Sequence, residues 1–457
     1  MENKKNEETS TQNAHYGLFT ATTMIVGIVI GSGIFFKSDD ILHYTGGNIL
    51  LGVLVFCIGA FGIIFGSLTL TEMSVRTGRN GGIVGYYEDF VSPAVACGFG
   101  WFQTFIYFPT LTAVLAWVGG IYTCLLFNIP QSLEAQTLFG LFYLVFFYAL
   151  NVVSLKSGGF FQNATTVIKL IPLLGIALAG IFMDVSKPAL DAGIQLVQTR
   201  DVGFAWLAAL VPIAFSFDGW IIATSITGEV KNPKKNMTLA LIIGPIIVLA
   251  VYLLFFLGLN KMLGAEYILS ARDASIDKAG ELLLGSRGTK ILLSFVVISV
   301  LGVVNGVILG GIRMPQAMAS KQMIPGSERV AKLSPKTQLS NASCVIAFVS
   351  ALIWMAVHYI TQKTNALAGG DISEISIVFS YGCYIILYLR VIGLKKEKVV
   401  SGIFKGIICP VFAILGASII FVGGFISNPV YVFWFMVLCT AAGAMGFLYF
   451  RSKNKIK

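Results

Sequence analysis

Two stretches of the chain join residue types that apolar sequence seldom holds: Gly27-Ile28-Val29-Ile30-Gly31-Ser32-Gly33-Ile34-Phe35 and Phe215-Ser216-Phe217-Asp218-Gly219-Trp220. Glycine pairs and a mid-run aspartate are poor helix formers, so each stretch predicts a break in a helix. In lipid, each backbone group freed by a break costs several kcal/mol unless a ligand, water or other protein pairs it. The N–H groups of Gly31, Ser32 and Gly33 open the half-helix that follows, and its positive dipole end suits a carboxylate. Glycine there lets a ligand approach the backbone closely. The carbonyls of Val29, Phe215, Ser216 and Asp218 suit an ammonium group. A solute with one negative and one positive end matches the pair. The competing reading of Gly31-Ser32-Gly33 is a small-residue packing face, and the second break weighs against it.

Lys169, in Thr165-Thr166-Val167-Ile168-Lys169-Leu170-Ile171-Pro172, is the other chemical candidate. At 1.5 Å per residue it lies about 13 Å from the inner end of its run. A lysine that deep is costly and by default functional. Its ammonium can bind the carbonyls freed by the first break, or snorkel to the interface. A buried lysine can also lose its proton, which keeps proton coupling open. Asp218 reads first as the N-cap of the half-helix after the second break, and second as a direct contact to substrate. Tyr252 is either a packing aromatic or site-lining. His15, His43 and His358 are scattered and read as surface residues. The seven Cys lack CxxC spacing and read as buried free thiols, so no metal or cofactor is expected. No HExxH, intramembrane acid pair or nucleophile constellation appears, so an enzyme is not expected.

The elements that must position these residues follow from composition. The 457 residues are 56% hydrophobic and 12% charged, against about 25% charged in soluble domains. The formal charge of +10 accompanies no basic patch interleaved with exposed aromatics, so nucleic acid is not a partner. The partner is the lipid bilayer. Twelve apolar runs are long enough to cross it: 17–44, 48–75, 94–127, 133–155, 160–183, 203–228, 237–262, 288–319, 340–361, 372–393, 404–425 and 429–450. Continuous runs exclude a β-barrel. Met1–His15 lacks the pattern of a cleaved signal peptide, and the sequon at Asn163 would lie inside the membrane.

Lys and Arg divide 22 to 9 between alternate loops, which puts both termini in the cytoplasm. By the same rise, Gly31 and Asp218 lie about 21 and 22 Å along runs that start on opposite sides. Both breaks then fall near mid-membrane, five helices apart. That is the signature of two inverted five-helix repeats with broken first members. The chain divides into a cytoplasmic tail (1–16), a first repeat (17–183), an extracellular loop (184–202), a second repeat (203–394), two added helices (395–450) and a tail (451–457).

At these residues the chain resembles the amino acid/polyamine/organocation superfamily, and within it the L-type amino acid transporter group with its bacterial serine/threonine exchanger-like members. The resemblance covers nearly the whole chain. Besides the two breaks it rests on Gly81-Gly82 with Tyr86 and Glu88-Asp89, on Gly158-Gly159-Phe160-Phe161-Gln162 leading to Lys169, and on Gly228-Glu229-Val230-Lys231-Asn232-Pro233. It implies an all-α fold of twelve transmembrane helices, LeuT-type, with broken helices 1 and 6. It also implies sodium-independent exchange of small neutral L-amino acids (serine, threonine, alanine, cysteine type) across the cytoplasmic membrane. Proton-coupled symport is the alternative. Carried over, Ser32 and Gly33 bind the carboxylate. Val29, Phe215, Ser216 and Asp218 meet the amine, Phe215 gates the site, Lys169 steadies helix 1 and Tyr252 lies near the site. Apart from the resemblance, Tyr107, Phe108, Ile222 and nearby residues are candidates for the side-chain pocket, whose size the sequence does not give. Val84 departs from an aromatic in relatives, and Asp218 from a glycine in animal members. Asn128-Ile129-Pro130-Gln131-Ser132 lacks the cysteine that bonds a heavy chain, so no disulfide-linked heavy chain is expected.

Overall fold

The computed structural model describes residues 16–31, 33–77, 82–153, 168–183, 187–191, 194–221, 230–335, 339–367 and 370–455. Ser32, Gly81, Gly158–Gln162, the Asn163 sequon, Thr165–Val167, Ile222, Gly228, Glu229 and His15 lie outside them. The described residues are helical almost throughout, as an apolar chain requires where lipid offers no hydrogen bonds.

The principal helices are α1 (Leu18–Val29), α2 (Gly33–Tyr44), α3 (Ile49–Thr77), α4 (Pro93–Phe127), α5 (Leu133–Val153), α6 (Leu170–Phe182) and α7 (Leu210–Ser216). They continue as α8 (Pro233–Leu263), α9 (Ser275–Ser320), α10 (Asn341–Lys363), α11 (Ile372–Lys396), α12 (Cys409–Ser427) and α13 (Pro429–Lys455). Among the described residues, nine helices are long and apolar enough to cross a membrane. The other three expected runs return as shorter apolar helices, Leu18–Gly27, Leu170–Phe182 and Gly203–Ser216. The first and third of these end at the two expected breaks. Large side chains such as Phe19, Phe182 and Phe204 point outward, more than four-fifths exposed, as a lipid-facing surface requires.

Close helix crossings use missing side chains. A Cβ added to Gly258 of α8 would lie 2.6 Å from the Ala177 carbonyl oxygen of α6. One added to Gly98 of α4 would lie 2.6 Å from the Gly443 carbonyl oxygen of α13. These contacts hold α6 on α8 and α13 on the start of α4.

Short elements that periodicity does not announce cap the bundle. Helices Gly82–Phe90 and Ser327–Val330 are two of them. Helix Ala265–Ala271 is another, and it leads through Arg272–Ala274 into α9, which turns at Gly285 (φ 65°, ψ 179°). Residues 187–191 and 194–202 pack with 264–274 on one face, where the Val197 N–H donates to Ser270 Oγ at 2.8 Å and Tyr267 donates to Asp191 at 3.0 Å. The Arg200 N–H donates to the Gly46 carbonyl at 2.9 Å and ties this long-loop face to the end of α2. Two expectations are corrected. The free thiols are not all buried, since Cys57 on α3 is exposed and Cys383 on α11 is half-buried. His358 is not a surface residue but fully buried against Trp117, with ring centroids 4.6 Å apart and neither ring nitrogen bonded. A neutral imidazole packs there as a flat aromatic.

Candidate functional site

The first break lies where the sequence puts it. The Ile30 N–H makes the last bond of α1, to the Val26 carbonyl at 2.8 Å. Ile30 then turns to extended backbone (φ −66°, ψ 97°), and α2 starts at Gly33. The carbonyls of the last turn of α1 lose their helical donors. Two side chains replace them. Lys169, 4% exposed, donates from Nζ to the Gly27 carbonyl. Tyr252 of α8, fully buried, places its hydroxyl 3.1 Å from the Val29 carbonyl. A cation at a helix C-terminus also meets the negative end of the dipole.

The second break mirrors it. Helix α7 ends at Ser216, and residues 217–221 form a turn whose Gly219 takes φ +92°, a value that favours glycine. The Asp218 N–H donates to the Phe215 carbonyl at 3.0 Å. The Tyr252 hydroxyl lies 2.8 Å from the Ser216 carbonyl. One hydroxyl hydrogen therefore serves the carbonyls of both breaks in turn, and Tyr252 couples them.

Glycine lets the two breaks touch. A Cβ on Gly33 would lie 3.0 Å from Ser216 Cα and 3.2 Å from Phe215 Cδ1, whereas one on Gly31 would approach nothing closer than a Val303 methyl at 3.5 Å. Overpacking a tight site costs about 1–3 kcal/mol. Gly33→Ala is therefore expected to lower transport roughly tenfold and Gly31→Ala much less, read from initial uptake rates at equal membrane abundance. Equal effects would contradict this packing argument.

Between the breaks lies a cavity of about 340 Å³. Val29, Gly31, Gly33, Lys169, Phe215, Ser216 and Asp218 all line it. Tyr252 stands behind that wall rather than on it, while Tyr107 and Phe108 of α4 close the opposite side. The Tyr107 hydroxyl donates to Asp218 Oδ2 at 2.5 Å. Its placement has a local cause. Pro109 has no N–H to give the Phe105 carbonyl four residues earlier. The Trp354 indole donates to that carbonyl at 2.7 Å instead, and residues Gln103–Tyr107 widen into a π turn. Such turns often redirect a side chain at a site.

On the long-loop side of the cavity lies Phe215. Its ring meets Phe36 edge-on at 5.2 Å, and Lys37 Nζ lies 5.5 Å from its centroid. Lys37, 2% exposed, bonds Asp371 at 2.8 Å, Glu374 at 2.7 Å and Asp40 at 3.2 Å. Asp371 and Glu374 are themselves the capping box of α11. Arg272 adds ion pairs to Asp40 at 3.4 Å and Asp39 at 3.7 Å, and donates to His43 Nδ1 at 3.1 Å. This cluster joins α2, α11 and segment 272–274 above the cavity.

Toward the opposite face the cavity continues into a vestibule of about 370 Å³, whose wall shares Tyr107, Phe108, Gly310 and Arg313 with it. Arg313, Ala317 and Ser320 on that wall are exposed. The site is thus closed on the long-loop face and open on the other.

Sequence reasoning missed the closing cluster and Arg313. A signal for the cluster was present: Lys37-Ser38-Asp39-Asp40 is a charged stretch within the first apolar run, and Asp371 with Glu374 is a D-x-x-E pattern before another. Among the described residues, no group of three or more His, Cys, Asp or Glu is placed to hold a metal.

A family model for amino acid permeases matches residues 16–449. The serine/threonine exchanger SteT of Bacillus subtilis (strain 168) is 29% identical over 381 residues, 83% of each chain. The b(0,+)-type amino acid transporter 1 of Homo sapiens is 24% identical over 97% of this chain and 89% of its own. The Asc-type amino acid transporter 1 of Homo sapiens is 24% identical over 90% of this chain and 78% of its own.

Proposed function

We propose, on the premise that this chain belongs to the amino acid permease family, that it exchanges small neutral L-amino acids across the cell membrane without sodium. It is a multi-pass membrane transporter and not an enzyme. The observation that carries the finer reading is the pairing of two interrupted helices over one cavity, joined by the Tyr252 hydroxyl. The substrate carboxylate takes the N–H groups at Gly31, Ser32 and Gly33. Its ammonium takes the second lone pairs of the Val29 and Ser216 carbonyls, with Phe215 and Asp218 adding acceptors. Phe215 is the gate. Lys169 holds the end of α1 with a fixed cation, so no sodium ion is needed there. The aromatic walls of Tyr107, Phe108 and Phe215 favour small side chains, in keeping with the name of the 29%-identical relative.

In this reading twelve spans form two inverted repeats of five, with α12 and α13 added, and both termini are cytoplasmic. The long-loop face is outside, so the molecule stands open to the cytoplasm. No heavy chain is bonded, since the loop 128–132 offers no cysteine. Alternating access follows when closure around the substrate is worth more than closure on nothing. A second reading, proton-coupled symport, draws on the Asp218 carboxylate held at the cavity by Tyr107.

Purified protein in liposomes separates the two. Labelled L-serine uptake is expected to require internal serine, to be unchanged when sodium is replaced by choline, and to ignore a pH gradient. Uptake into empty vesicles driven by inward protons would install the second reading instead. Competition by the other amino acids sets the substrate range.

A further inference from the structure

The described walls of the cavity and vestibule carry three cationic side chains, Lys169, Arg313 and Lys321. Two are engaged. Lys169 is bonded to the Gly27 carbonyl, and Lys321 is paired with Glu88. Arg313 is exposed and has neither a hydrogen bond nor an ion pair among the described residues. It stands seven residues before Ser320, the end of α9, about 10 Å up the helix at 1.5 Å per residue. That places it at the neck, on the wall that cavity and vestibule share.

A free guanidinium in a narrow passage with low-dielectric walls focuses anions. Its planar fork offers a carboxylate two parallel bonds. Among the described lining residues one side chain is acidic, Asp218, and it belongs to the deeper cavity only. The passage therefore presents a free base at its neck and, deeper in, an acid, Asp218, beside a lysine already bonded to the Gly27 carbonyl. A zwitterion approaching from the vestibule is oriented ammonium-first, toward the freed carbonyls of the two breaks.

We propose that Arg313 is the loading residue of the vestibule side. It captures the α-carboxylate of an incoming amino acid and delivers the solute to the breaks in that orientation. The inference rests on the exchange reading above. Because the residue lies on the side opposite the long-loop face, its effect is one-sided.

The test is exchange by full-length protein in liposomes of uniform orientation, with internal and external L-serine varied independently. Arg313→Gln is expected to raise the internal KM about tenfold, the weight of a lost charged hydrogen bond, and to leave the external KM within about twofold. Arg313→Lys keeps the charge without the fork and is expected to fall between. It also carries the comparison if the glutamine variant fails to insert. The wild-type internal KM should rise with ionic strength and that of Arg313→Gln should not. Equal rises on both sides would mark a helix-packing defect and overturn the proposal, as would an unchanged internal KM in both variants. In the latter case intact wild-type exchange leaves the functional reading standing. Wild-type uptake indifferent to internal serine sinks that reading itself.

Discussion

Exchange by a Lys169→Met variant is expected to fall roughly ten- to a hundredfold, because a buried hydrogen bond from a charged group is worth about 1.5–3 kcal/mol. Methionine keeps most of the apolar stem and removes only the ammonium. The Gly27 carbonyl, bonded by that ammonium, is then left without its donor at the negative end of α1. Its neighbour Val29 relies on the Tyr252 hydroxyl, which is shared with Ser216. Losing one partner thus loads the other, and the helix end that carries the Val29 acceptor loses its fixed position. Insertion should survive, since α6 still packs on α8 through Gly180 and Gly258.

A purely structural role and an electrostatic one are separable at this residue. Lys169→Ala leaves a space beside the Gly27 carbonyl, and small cations such as methylammonium are expected to restore part of the lost flux. Initial serine uptake, at matched protein in the membrane, is the measurement. Full activity of Lys169→Met would show that the ammonium is idle and that the lysine merely fills space.

Much of this geometry is legible in the sequence, for a physical reason. Backbone breaks need residues that tolerate them, so Gly31, Gly33 and Gly219 announce themselves in otherwise apolar runs. Lys169 is visible because a charge in lipid is too costly to be incidental. What the sequence hides is pairing between distant elements. Tyr252 serves both breaks from 223 and 36 residues away, and nothing around it distinguishes it from a packing aromatic. His358 reads as polar and is buried among aromatics. Lys37 is only one of the nine basic residues on the outer side of the count until α11 is seen to bring Asp371 and Glu374 to it. Arg313 is only one of the 22 basic residues on the inner side of the count until the cavity is seen to reach it. Periodicity assigns a residue to a helix; which helix faces it is a tertiary matter.

The latch at Lys37 carries the second large effect. Three carboxylates surround its ammonium within 3.2 Å, and Lys37, Asp371 and Glu374 are each at most 4% exposed. Removing one partner of a buried ion cluster leaves uncompensated charge and costs roughly 3–5 kcal/mol. Lys37→Met places that cost on the closed long-loop face alone, because opening returns Asp371 and Glu374 to water. The same energy that would unfold a soluble core here shifts a conformational equilibrium, and a bias near 5.5 kcal/mol is about what turns 1:99 into 99:1. A cysteine placed at Ile375, buried beside Asp371, should therefore become roughly a hundredfold more reactive to an impermeant thiol reagent applied to that face. The native thiols are a tractable background, since six of the seven are not exposed. Lys37→Arg should leave the cysteine protected. Neutralising the two buried partners as well is the sharper control: Lys37→Met with Asp371→Asn and Glu374→Gln leaves only Asp40, which Arg272 still pairs at 3.4 Å, and protection should largely return, since deleting buried charges together is far cheaper than stranding them. Cysteine reactivity that ignores Lys37, or that stays high in the triple variant, would mean the face is held shut by Phe215 and its aromatic neighbours rather than by charge.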